Sequence, residues 1–275
     1  MTDKYAVIGN PIAHSKSPQI HKLFAEQTGE DISYERIEAP LDGFAAKVDE
    51  LRATGYKGCN VTVPFKFEAF LQTNERTERA EVAKAVNTLS FDNDIIYGDN
   101  TDGAGLVNNL KNNLNFYFNN KRILLVGAGG AAWGISLPLL HESPKRLVIS
   151  NRTIAKAEDA QRILFPFTKG KLTEFVAKNF DDLTGEQFDL VINATSAGLT
   201  DSEIPLPHGI FAPGALAYDL MYGRETPFMK FAREHGAAVV SDGLGMLVEQ
   251  AAESFFIWRG VRPQTAQVIA TLRLS

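Results

Sequence analysis

A glycine-rich turn near the middle of the chain constrains the fold more than any other feature of the sequence. It follows the apolar run 123–126 and places Gly127, Gly129 and Ala132 on the spacing G-x-G-x-x-A. In this pattern the first glycine makes a tight turn, the second lets the backbone approach a pyrophosphate, and the small third residue lets a helix pack on the strand. The N–H groups that begin such a helix suit an anion. The turn therefore predicts a strand–turn–helix unit that binds a nucleotide, the alternative being a glycine turn without a ligand.

The end of the next predicted strand, residues 146–150, bears on which nucleotide would bind. Such a strand often ends in an acidic residue that binds the ribose 2′-hydroxyl, but here Asn151, Arg152 and Thr153 follow. A guanidinium can make two charge-assisted hydrogen bonds to a 2′-phosphate, which a carboxylate would repel. Arg152 therefore favours NADP over NAD, and Lys156 one helical turn later would add a second positive charge. The alternative is that both residues lie on a solvated helix start, where positive charge is unfavourable against the helix dipole.

Short apolar runs alternate with helical patterns along the rest of the chain. Strands are expected at 5–9, 34–38, 59–63, around Asn87, and at 95–97, 123–126, 146–150, 188–194, 215–220 and 237–241. In the run 59–63 the alternation places Val61 and Val63 on one face of a strand. Alternating strands and helices predict an α/β fold with a mostly parallel sheet covered by helices on both faces.

The length of 275 residues suggests about two domains, at roughly 150 residues each. The polar segment 99–102 begins a predicted helix over 103–114, and two further helices are predicted at 244–259 and 263–272. We expect a first domain over residues 1–102 with a mixed sheet, completed by 244–275. A doubly wound, Rossmann-like nucleotide-binding domain over 103–243 is expected to be inserted between these two parts.

Composition excludes several other functions. The chain has 28 Lys and Arg against 33 Asp and Glu, a net charge of −5, and no run of basic residues, so nucleic acid is not an expected partner. The single cysteine, Cys59, cannot form an internal disulfide, and the first residues contain no apolar leader, which favours the reducing cytoplasm. Glycines and a proline interrupt the uncharged run 123–140, so no membrane span is expected. No metal site is expected, and a homodimer remains open.

Two pairs of polar residues in the first predicted domain lie where open α/β sheets bind ligands, after strands and at helix starts. Ser15 and Ser17 form the first pair, although a serine before a proline is also an ordinary helix cap. Thr62 and Lys66 form the second pair, across a junction from strand to helix. A lysine in a first helical turn is more often a solvated surface charge.

Three further polar residues of the same predicted domain also have two interpretations. Asn87 lies in an apolar run, so its amide must bond either the backbone or a ligand. Asp102 is a candidate helix cap at the predicted boundary between the domains. Gln250 flanks the apolar stripe of a predicted helix and would otherwise face solvent.

Eight motifs in the same order along the whole chain resemble the shikimate dehydrogenase family. They are AVIGNPIAHSKSP (6–18), NVTVPFK (60–66), AVNT (85–88), GDNTDG (98–103), GAGGA (127–131), NRT (151–153), NATS (193–196) and DGLGML (242–247). The resemblance implies an NADP-dependent oxidoreductase of aromatic amino-acid biosynthesis that interconverts 3-dehydroshikimate and shikimate, with a small-molecule substrate.

The resemblance also implies roles for the residues at matching positions. Lys66 and Asp102 would be the catalytic pair. The substrate would be bound by Ser15, Ser17, Thr62, Lys66, Asn87, Asp102, Tyr222 and Gln250. The cofactor would be bound by Glu78, Gly127, Ala128, Gly129, Gly130, Ala131, Asn151, Arg152, Thr153, Ile154, Ala155, Lys156, Leu220 and Gly243.

The chemistry of a ketone reduction is compatible with these roles. An ammonium at Lys66 can donate a proton to the developing alkoxide or stabilise its charge, and Asp102 can hold the lysine and accept a substrate hydroxyl. The sequence leaves open whether the lysine is an acid and base or an electrostatic anchor. It departs from the family at Ala132 and Trp133, where a small or basic pair is common, and we expect Trp133 to pack rather than bind.

Two rival functions remain. One is a quinate/shikimate dehydrogenase with a relaxed choice of substrate. The other is an NADP-binding sensor without turnover, against which the intact pair of Lys66 and Asp102 weighs.

Overall fold

The computed structural model describes residues 2–274, which form two compact units. The first unit comprises the residues up to Leu106 together with those from Leu247 onward, and the second comprises Val107–Met246. From the N-terminus the elements are β1 (Asp3–Gly9), α1 (Ser17–Thr28), β2 (Ile32–Glu38), α2 (Phe44–Ala53), β3 (Tyr56–Val61), α3 (Lys66–Gln72), β4 (Glu75–Arg76), α4 (Glu78–Ala83), β5 (Thr88–Asp92), β6 (Ile95–Asp99) and α5 (Asp102–Asn108). An irregular helical turn, Asn109–Asn113, follows α5.

The remaining elements complete both units. They are β7 (Arg122–Val126), α6 (Gly130–His141), β8 (Arg146–Ser150), α7 (Ile154–Leu164), β9 (Glu174–Lys178), β10 (Phe188–Asn193), β11 (Phe211–Asp219), α8 (Pro227–Glu234), β12 (Val239–Ser241), α9 (Leu244–Arg259) and α10 (Thr265–Arg273). Short 3-10 turns lie at Phe165–Thr168, Asp181–Leu183 and Ala197–Leu199.

The sheet of the first unit is mixed, with strand order β2-β1-β3-β5-β6-β4. The strand β1 pairs in parallel with β2 and β3, whereas β5 is antiparallel to both β3 and β6. Its core is apolar and closely packed, and includes Ile8, Val61, Phe65 and Leu89. Because β5 reverses direction between β3 and β6, the carboxyl ends of β3 and β6 meet the start of β5 at one edge of the sheet.

The sheet of the second unit is parallel throughout, with strand order β12-β11-β10-β7-β8-β9. Counted from β7, this is the 3-2-1-4-5-6 order of dinucleotide-binding folds. The residues Ile123, Leu124, Leu125 and Val126 of the central strand β7 are all fully buried, as expected for a parallel strand covered by helices on both faces. The predicted α/β class, with one mixed sheet and one doubly wound parallel sheet, is confirmed.

The helix α9 is tied to the first sheet by polar and aromatic contacts. The indole Nε1 of Trp258 donates to the Leu89 carbonyl at 3.1 Å, and its ring stacks on Tyr5 with a centroid separation of 4.6 Å. The guanidinium of Arg259 bonds Glu30 at 2.7 Å and also pairs with Asp3. These contacts explain why α9, from Leu247 onward, belongs to the first unit.

Some local predictions were wrong. The strand β3 ends at Val61, so Val61 is 2% exposed whereas Val63 lies beyond the strand and is 64% exposed. The predicted helix 103–114 is divided into α5 and the irregular turn, at whose start the buried Asn109 side chain donates to the Tyr218 hydroxyl at 2.9 Å. The edge strand β9 was not predicted. Among residues 2–274, no helix combines the length and the apolar character that crossing a membrane requires.

Candidate active site

Lys66 and Asp102 form an ion pair at the edge of the first sheet. Lys66 begins α3, which follows β3, and Asp102 begins α5, which follows β6. The carboxyl ends of β3 and β6 lie at the same edge, so two residues 36 positions apart in sequence meet with Nζ and Oδ2 separated by 2.5 Å. The lysine side chain is 30% exposed and that of the aspartate 14%. The pair is therefore half-shielded from water, yet the ammonium remains accessible to a substrate.

Asn87 lies beside this pair because it immediately precedes β5, which starts at the same edge. Its Nδ2 lies 2.8 Å from Asp102 Oδ1 and 2.9 Å from Thr101 Oγ1. Its Oδ1 accepts from the Thr101 backbone N–H at 2.9 Å and from the Thr88 hydroxyl at 2.8 Å. The residue is 2% exposed. The expectation that the buried amide bonds the protein is confirmed, since its partners are a backbone N–H and neighbouring side chains, among them the carboxylate of the ion pair.

Gln250 joins the same group from α9. Its Oε1 lies 3.2 Å from Asn87 Nδ2, and its Nε2 donates to the Leu247 carbonyl at 2.8 Å. The helices α5 and α9 approach so closely that a Cβ at Gly105 would lie 2.6 Å from the Gln250 backbone nitrogen. Glycine at position 105 thus allows Gln250 to reach Asn87, and the half-buried glutamine bonds protein groups rather than facing solvent alone.

Asn87 is also surrounded by buried side chains that the sequence did not single out, namely the amide of Asn60 and the hydroxyls of Thr88, Thr101 and Ser254. Asn60 Nδ2 donates to the Asn87 carbonyl at 3.1 Å and to Ser254 Oγ at 2.9 Å. The hydroxyls of Thr88 and Ser254 are 2.8 Å apart. Asn60, Thr88 and Thr101 lie within the motifs at 60–66, 85–88 and 98–103, so a signal existed for them, whereas Ser254 lies outside every motif.

Ser15 and Ser17 form a second polar group at the start of α1. Ser15 Oγ accepts from the Ser17 backbone N–H at 3.3 Å, and the Arg36 guanidinium donates to the Ser15 carbonyl at 2.8 and 2.6 Å. Ser17 is the first residue of α1, whose cap position is occupied by Lys16 without a side-chain bond. The capping role considered for Ser17 is therefore wrong, and its hydroxyl is not used to cap the helix.

Thr62 lies between β3 and α3, four residues before Lys66. Its backbone N–H donates to the Ile8 carbonyl at 2.9 Å, which continues the pairing of β3 with β1. The residue is half-buried. Within the part of the chain that the structure describes, no hydrogen bond joins Thr62, Ser15 or Ser17 to Lys66 or Asp102.

The glycine turn of the second unit has the geometry that its sequence predicts. Gly127 has φ +112°, which only glycine adopts readily, and its N–H donates to the Ser150 carbonyl at 2.7 Å. Gly129 occupies the cap position of α6, so no side chain at that position bonds the first N–H groups of the helix. A Cβ at Gly129 or Gly130 would meet no atom within 4 Å. The first N–H groups of α6 therefore border open space, as a bound pyrophosphate requires. Ala128 is buried and Ala131 is exposed.

The residues after β8 fit the phosphate end of a dinucleotide. Asn151 Nδ2 donates to the Thr153 carbonyl at 3.0 Å and so shapes the turn into α7. Thr153 caps this helix without a side-chain bond, and Ile154, Ala155 and Lys156 form its first turn. Arg152 and Lys156 are exposed, and neither forms a salt bridge with any residue between 2 and 274. The structure thus leaves two cations free beside the start of α7, which suits a 2′-phosphate.

A buried carboxylate organises the other strand ends of the second unit. Asp219, the last residue of β11, is fully buried and accepts from Asn193 Nδ2 at 3.0 Å, from Thr226 Oγ1 at 2.6 Å and from the Met221 N–H at 2.9 Å. Leu220 follows it, and a Cβ at Gly243 would lie 2.1 Å from the Leu220 carbonyl oxygen. Sequence reasoning did not assign Asp219 a role, although Asn193 begins the motif at 193–196.

Two further expected site residues remain, one in each unit. Tyr222 belongs to the second unit, on the half-buried segment after β11, and burial raises the pKa of its hydroxyl. Glu78 is the exposed first residue of α4 in the first unit. A mixed sheet that carries a lysine–aspartate pair, together with a parallel sheet in dinucleotide-binding order, defines a two-unit α/β protein of the dehydrogenase class.

Three sequence families match successive parts of the chain. Residues 7–89 match "Shikimate dehydrogenase substrate binding domain", residues 109–200 match "Shikimate / quinate 5-dehydrogenase", and residues 243–273 match "Shikimate 5'-dehydrogenase C-terminal domain". A relative from Methylobacillus flagellatus, named shikimate dehydrogenase (NADP(+)), is 58% identical over 99% of this chain and 100% of its own. The chain belongs to the shikimate dehydrogenase family.

Two solved structures are similar to this chain over nearly its whole length. A crystal structure of an Ael1 enzyme from Pseudomonas putida has a TM-score of 0.93 and 47% identity, covering 98% of both chains. A crystal structure of shikimate 5-dehydrogenase from Thermus thermophilus, in complex with NADP(H) and shikimate, has a TM-score of 0.86 and 29% identity, covering 99% of both chains.

Proposed function

We propose that this protein is an NADP-dependent oxidoreductase that catalyses the reversible reduction of 3-dehydroshikimate to shikimate in aromatic amino-acid biosynthesis. The observation that carries the proposal is the ion pair of Lys66 and Asp102, held by Asn87 at a sheet edge in a member of this family. The relative at 58% identity, which is named for this activity and this cofactor, supports it.

Lys66 is the proton donor of the proposed reduction. NADPH, when bound, supplies the hydride that adds to the ketone carbon of the substrate. Lys66 Nζ donates a proton to the ketone oxygen as negative charge develops there, and takes it back in the reverse direction. Asp102 Oδ2 holds the ammonium at 2.5 Å, and the carboxylate has lone pairs left to accept a hydrogen bond from a substrate hydroxyl. The substrate is thereby oriented by the same carboxylate that orients the acid.

The remaining polar residues of the proposal bind the substrate. The hydroxyls of Ser15 and Ser17 are donors suited to its carboxylate, and Thr62, Asn87 and Gln250 suit its ring hydroxyls. Tyr222 is a further donor, because a tyrosine hydroxyl is protonated at neutral pH and the partial burial of this one raises its pKa further. We assign substrate binding to residues 1–102 with 244–275, and nucleotide binding to 103–243.

The cofactor residues of the proposal follow from the fit described above. Residues 127–131 would bind the pyrophosphate through backbone N–H groups, and residues 151–156 would bind the 2′-phosphate, chiefly through Arg152 and Lys156. Leu220 and Gly243 would line the nicotinamide end. Glu78 is included through the resemblance to the family alone.

Purified protein mixed with shikimate and NADP should produce the near-ultraviolet absorbance of NADPH. Absorbance with quinate and none with shikimate would reassign the substrate. If neither acid produces NADPH absorbance but a calorimetric titration shows NADP binding, the sensor without turnover would be favoured instead.

The compartment and the assembly are part of the same proposal. A free, fully buried Cys59 is compatible with the reducing cytoplasm. A homodimer of the 30.2 kDa chain would be detected by size-exclusion chromatography with light scattering, and a mass near that of one chain would exclude it.

A further inference from the structure

A second ion pair, between Arg79 and Asp99, lies three residues before Asp102 in the chain. Arg79, on α4, makes two parallel bonds to Asp99: Nε lies 2.7 Å from Oδ1 and Nη2 lies 2.6 Å from Oδ2. The side chains are 23% and 12% exposed. Arg79 Nη2 also lies 3.2 Å from Glu253 Oε1 on α9. Such a fork holds both planar groups in one orientation, which a single point charge would not do.

The Asp99 side chain, held by Arg79, is in turn bonded to the backbone of the segment before Asp102. It is the last residue of β6, and its Oδ1 also accepts from the Asn100 N–H and from the Thr77 hydroxyl, each at 2.6 Å. The Asp99 carbonyl accepts from the Asn87 N–H at 3.0 Å. Asp99, which Arg79 holds, therefore bonds the backbone N–H groups of Asn87 and Asn100, and the side chains of these two residues both bond Asp102.

Asn100 completes the connection to Asp102. Its Nδ2 donates to the Ala85 carbonyl at 3.0 Å, and its Oδ1 accepts from the Asp102 N–H at 3.2 Å. Asn100 is 1% exposed, so water does not compete for these bonds. A continuous series of hydrogen bonds thus runs from Arg79 through Asp99 and Asn100 to the backbone of Asp102.

We infer that Arg79 is a positioning residue that acts through Asp99 to hold Asp102 in the orientation that the Lys66 ammonium and the substrate require. The inference rests on the proposed function for its kinetic consequence. A role in stability alone explains the arrangement less well, since a buried ion pair adds little net stability compared with apolar groups of similar size. Three contacts from Arg79 and Thr77 hold the Asp99 carboxylate, and its fourth contact is with the Asn100 N–H in the segment that leads to Asp102.

Arg79→Gln tests the inference in the purified full-length protein. Removing the fork lets the segment 99–102 shift, and a displacement of about 1 Å at a catalytic group lowers turnover by roughly 100-fold. We expect kcat to fall about 10- to 100-fold. The KM values for shikimate and NADP should change less than about threefold, because Arg79 touches neither ligand in the proposal. Asp99→Asn should cause a similar loss, and the double variant should lose no more than the larger single loss.

The matched control is Arg262→Gln. Arg262 is the second arginine paired with Glu253 and makes no bond to Asp99, so kcat should stay at the wild-type value. If Arg79→Gln does not fold, Arg79→Lys takes its place, since it keeps the charge but not the fork, and a folded Arg79→Lys should retain an intermediate kcat.

Amide hydrogen exchange gives a readout without turnover. Exchange at the N–H groups of Asn100 and Asp102 should accelerate at least about 10-fold in Arg79→Gln or Arg79→Lys, and remain unchanged in Arg262→Gln. Faster exchange would support the ordering role even if the wild-type protein did not interconvert 3-dehydroshikimate and shikimate. The absence of that activity would refute the proposed function but not the ordering role. Unchanged exchange with wild-type kcat would overturn the inference. A raised KM for NADP at unchanged kcat would also overturn it, by showing that Arg79 contacts the cofactor.

Discussion

Asn87 Nδ2 lies 2.8 Å from Asp102 Oδ1, and this contact holds one oxygen of the aspartate in place. The other carboxylate oxygen, Oδ2, pairs with Lys66 Nζ at 2.5 Å. The two oxygens thus have different partners, a neutral amide and an ammonium, which fixes the plane of the carboxylate. A fixed carboxylate holds the lysine without a reorganisation step during the reaction.

Replacing Lys66 by alanine removes the proposed proton donor. Because this interaction strengthens in the transition state, we expect kcat to fall about 100- to 10,000-fold and KM for shikimate to change much less. Steady-state kinetics in both directions measure the two constants. Lys111→Ala is the matched control, since Lys111 pairs with the Glu142 carboxylate at 2.6 Å outside the site. A raised KM with nearly unchanged kcat would make Lys66 a binding residue.

Asn87→Asp exchanges a donor for an acceptor at nearly constant shape. The new carboxylate would lie against Asp102, and two carboxylates at this separation cannot both remain ionised without cost. We expect kcat/KM to fall about 10- to 100-fold, equivalent to losing one charge-assisted hydrogen bond of about 1.5–3 kcal/mol.

The control for this change is Asn93→Asp, in the exposed turn between β5 and β6. Kinetics and thermal unfolding of both variants should show a loss of activity in Asn87→Asp alone. Wild-type kcat/KM in a folded Asn87→Asp protein would contradict the role given to the contact between the asparagine amide and the aspartate.

Arg152→Asp tests the basis of the cofactor preference. Losing the guanidinium removes two charge-assisted bonds to the 2′-phosphate, and the new carboxylate repels it. We expect the ratio of kcat/KM for NADP to that for NAD to fall at least about 10- to 100-fold. Arg162→Asp, a substitution of an exposed arginine in the same helix α7, should leave the ratio unchanged. An unchanged ratio in Arg152→Asp would remove Arg152 from the cofactor site.

His21 makes the free energy of unfolding depend on pH. The ring is fully buried and stacks on Tyr34 at a centroid distance of 4.1 Å, and burial lowers its pKa from 6.5 to about 3. In the unfolded chain the group takes up a proton below about pH 6.5, whereas in the folded protein it does so only near pH 3. Its stabilising contribution is therefore complete above pH 6.5 and is lost as the pH falls toward 3.

His21→Phe should abolish this contribution while keeping a stacked ring. Between pH 7 and pH 4 the wild-type free energy of unfolding should fall by about 3 kcal/mol more than that of His21→Phe, as measured by urea denaturation. His208→Phe, at an exposed histidine, serves as the control and should follow the wild-type curve. Parallel curves for wild type and His21→Phe would show that His21 is not neutral in the folded protein.

Local patterns in the sequence determined the second unit well. The apolar run 123–126, the glycines after it and the Arg152 that follows the next strand each depend on neighbouring residues, and the structure places them as β7, the turn with Gly127 at φ +112°, and the start of α7. The edge strand β9 was not predicted, because most of its residues are only half-buried and its sequence therefore has a weak apolar pattern.

The first unit was only partly determined in this way. The polar residues at strand ends were predicted individually, but Val63 was assigned to a strand that ends at Val61. Alternation of valines alone could not show where the pairing of β3 stops, because that depends on which residues of β1 and β5 lie opposite.

Sequence alone therefore determined the α/β class, the nucleotide-binding turn and the candidate residues of the site. Tertiary structure decided which of those residues meet. Lys66 and Asp102 are 36 positions apart, and Asn87 and Gln250 are 163 apart, so no local periodicity relates them. They converge because the antiparallel β5 lies between β3 and β6, and because α9 returns to approach α5 at Gly105. Strand order and helix packing depend on the burial of apolar surface across the whole unit, which acts between residues distant in the chain.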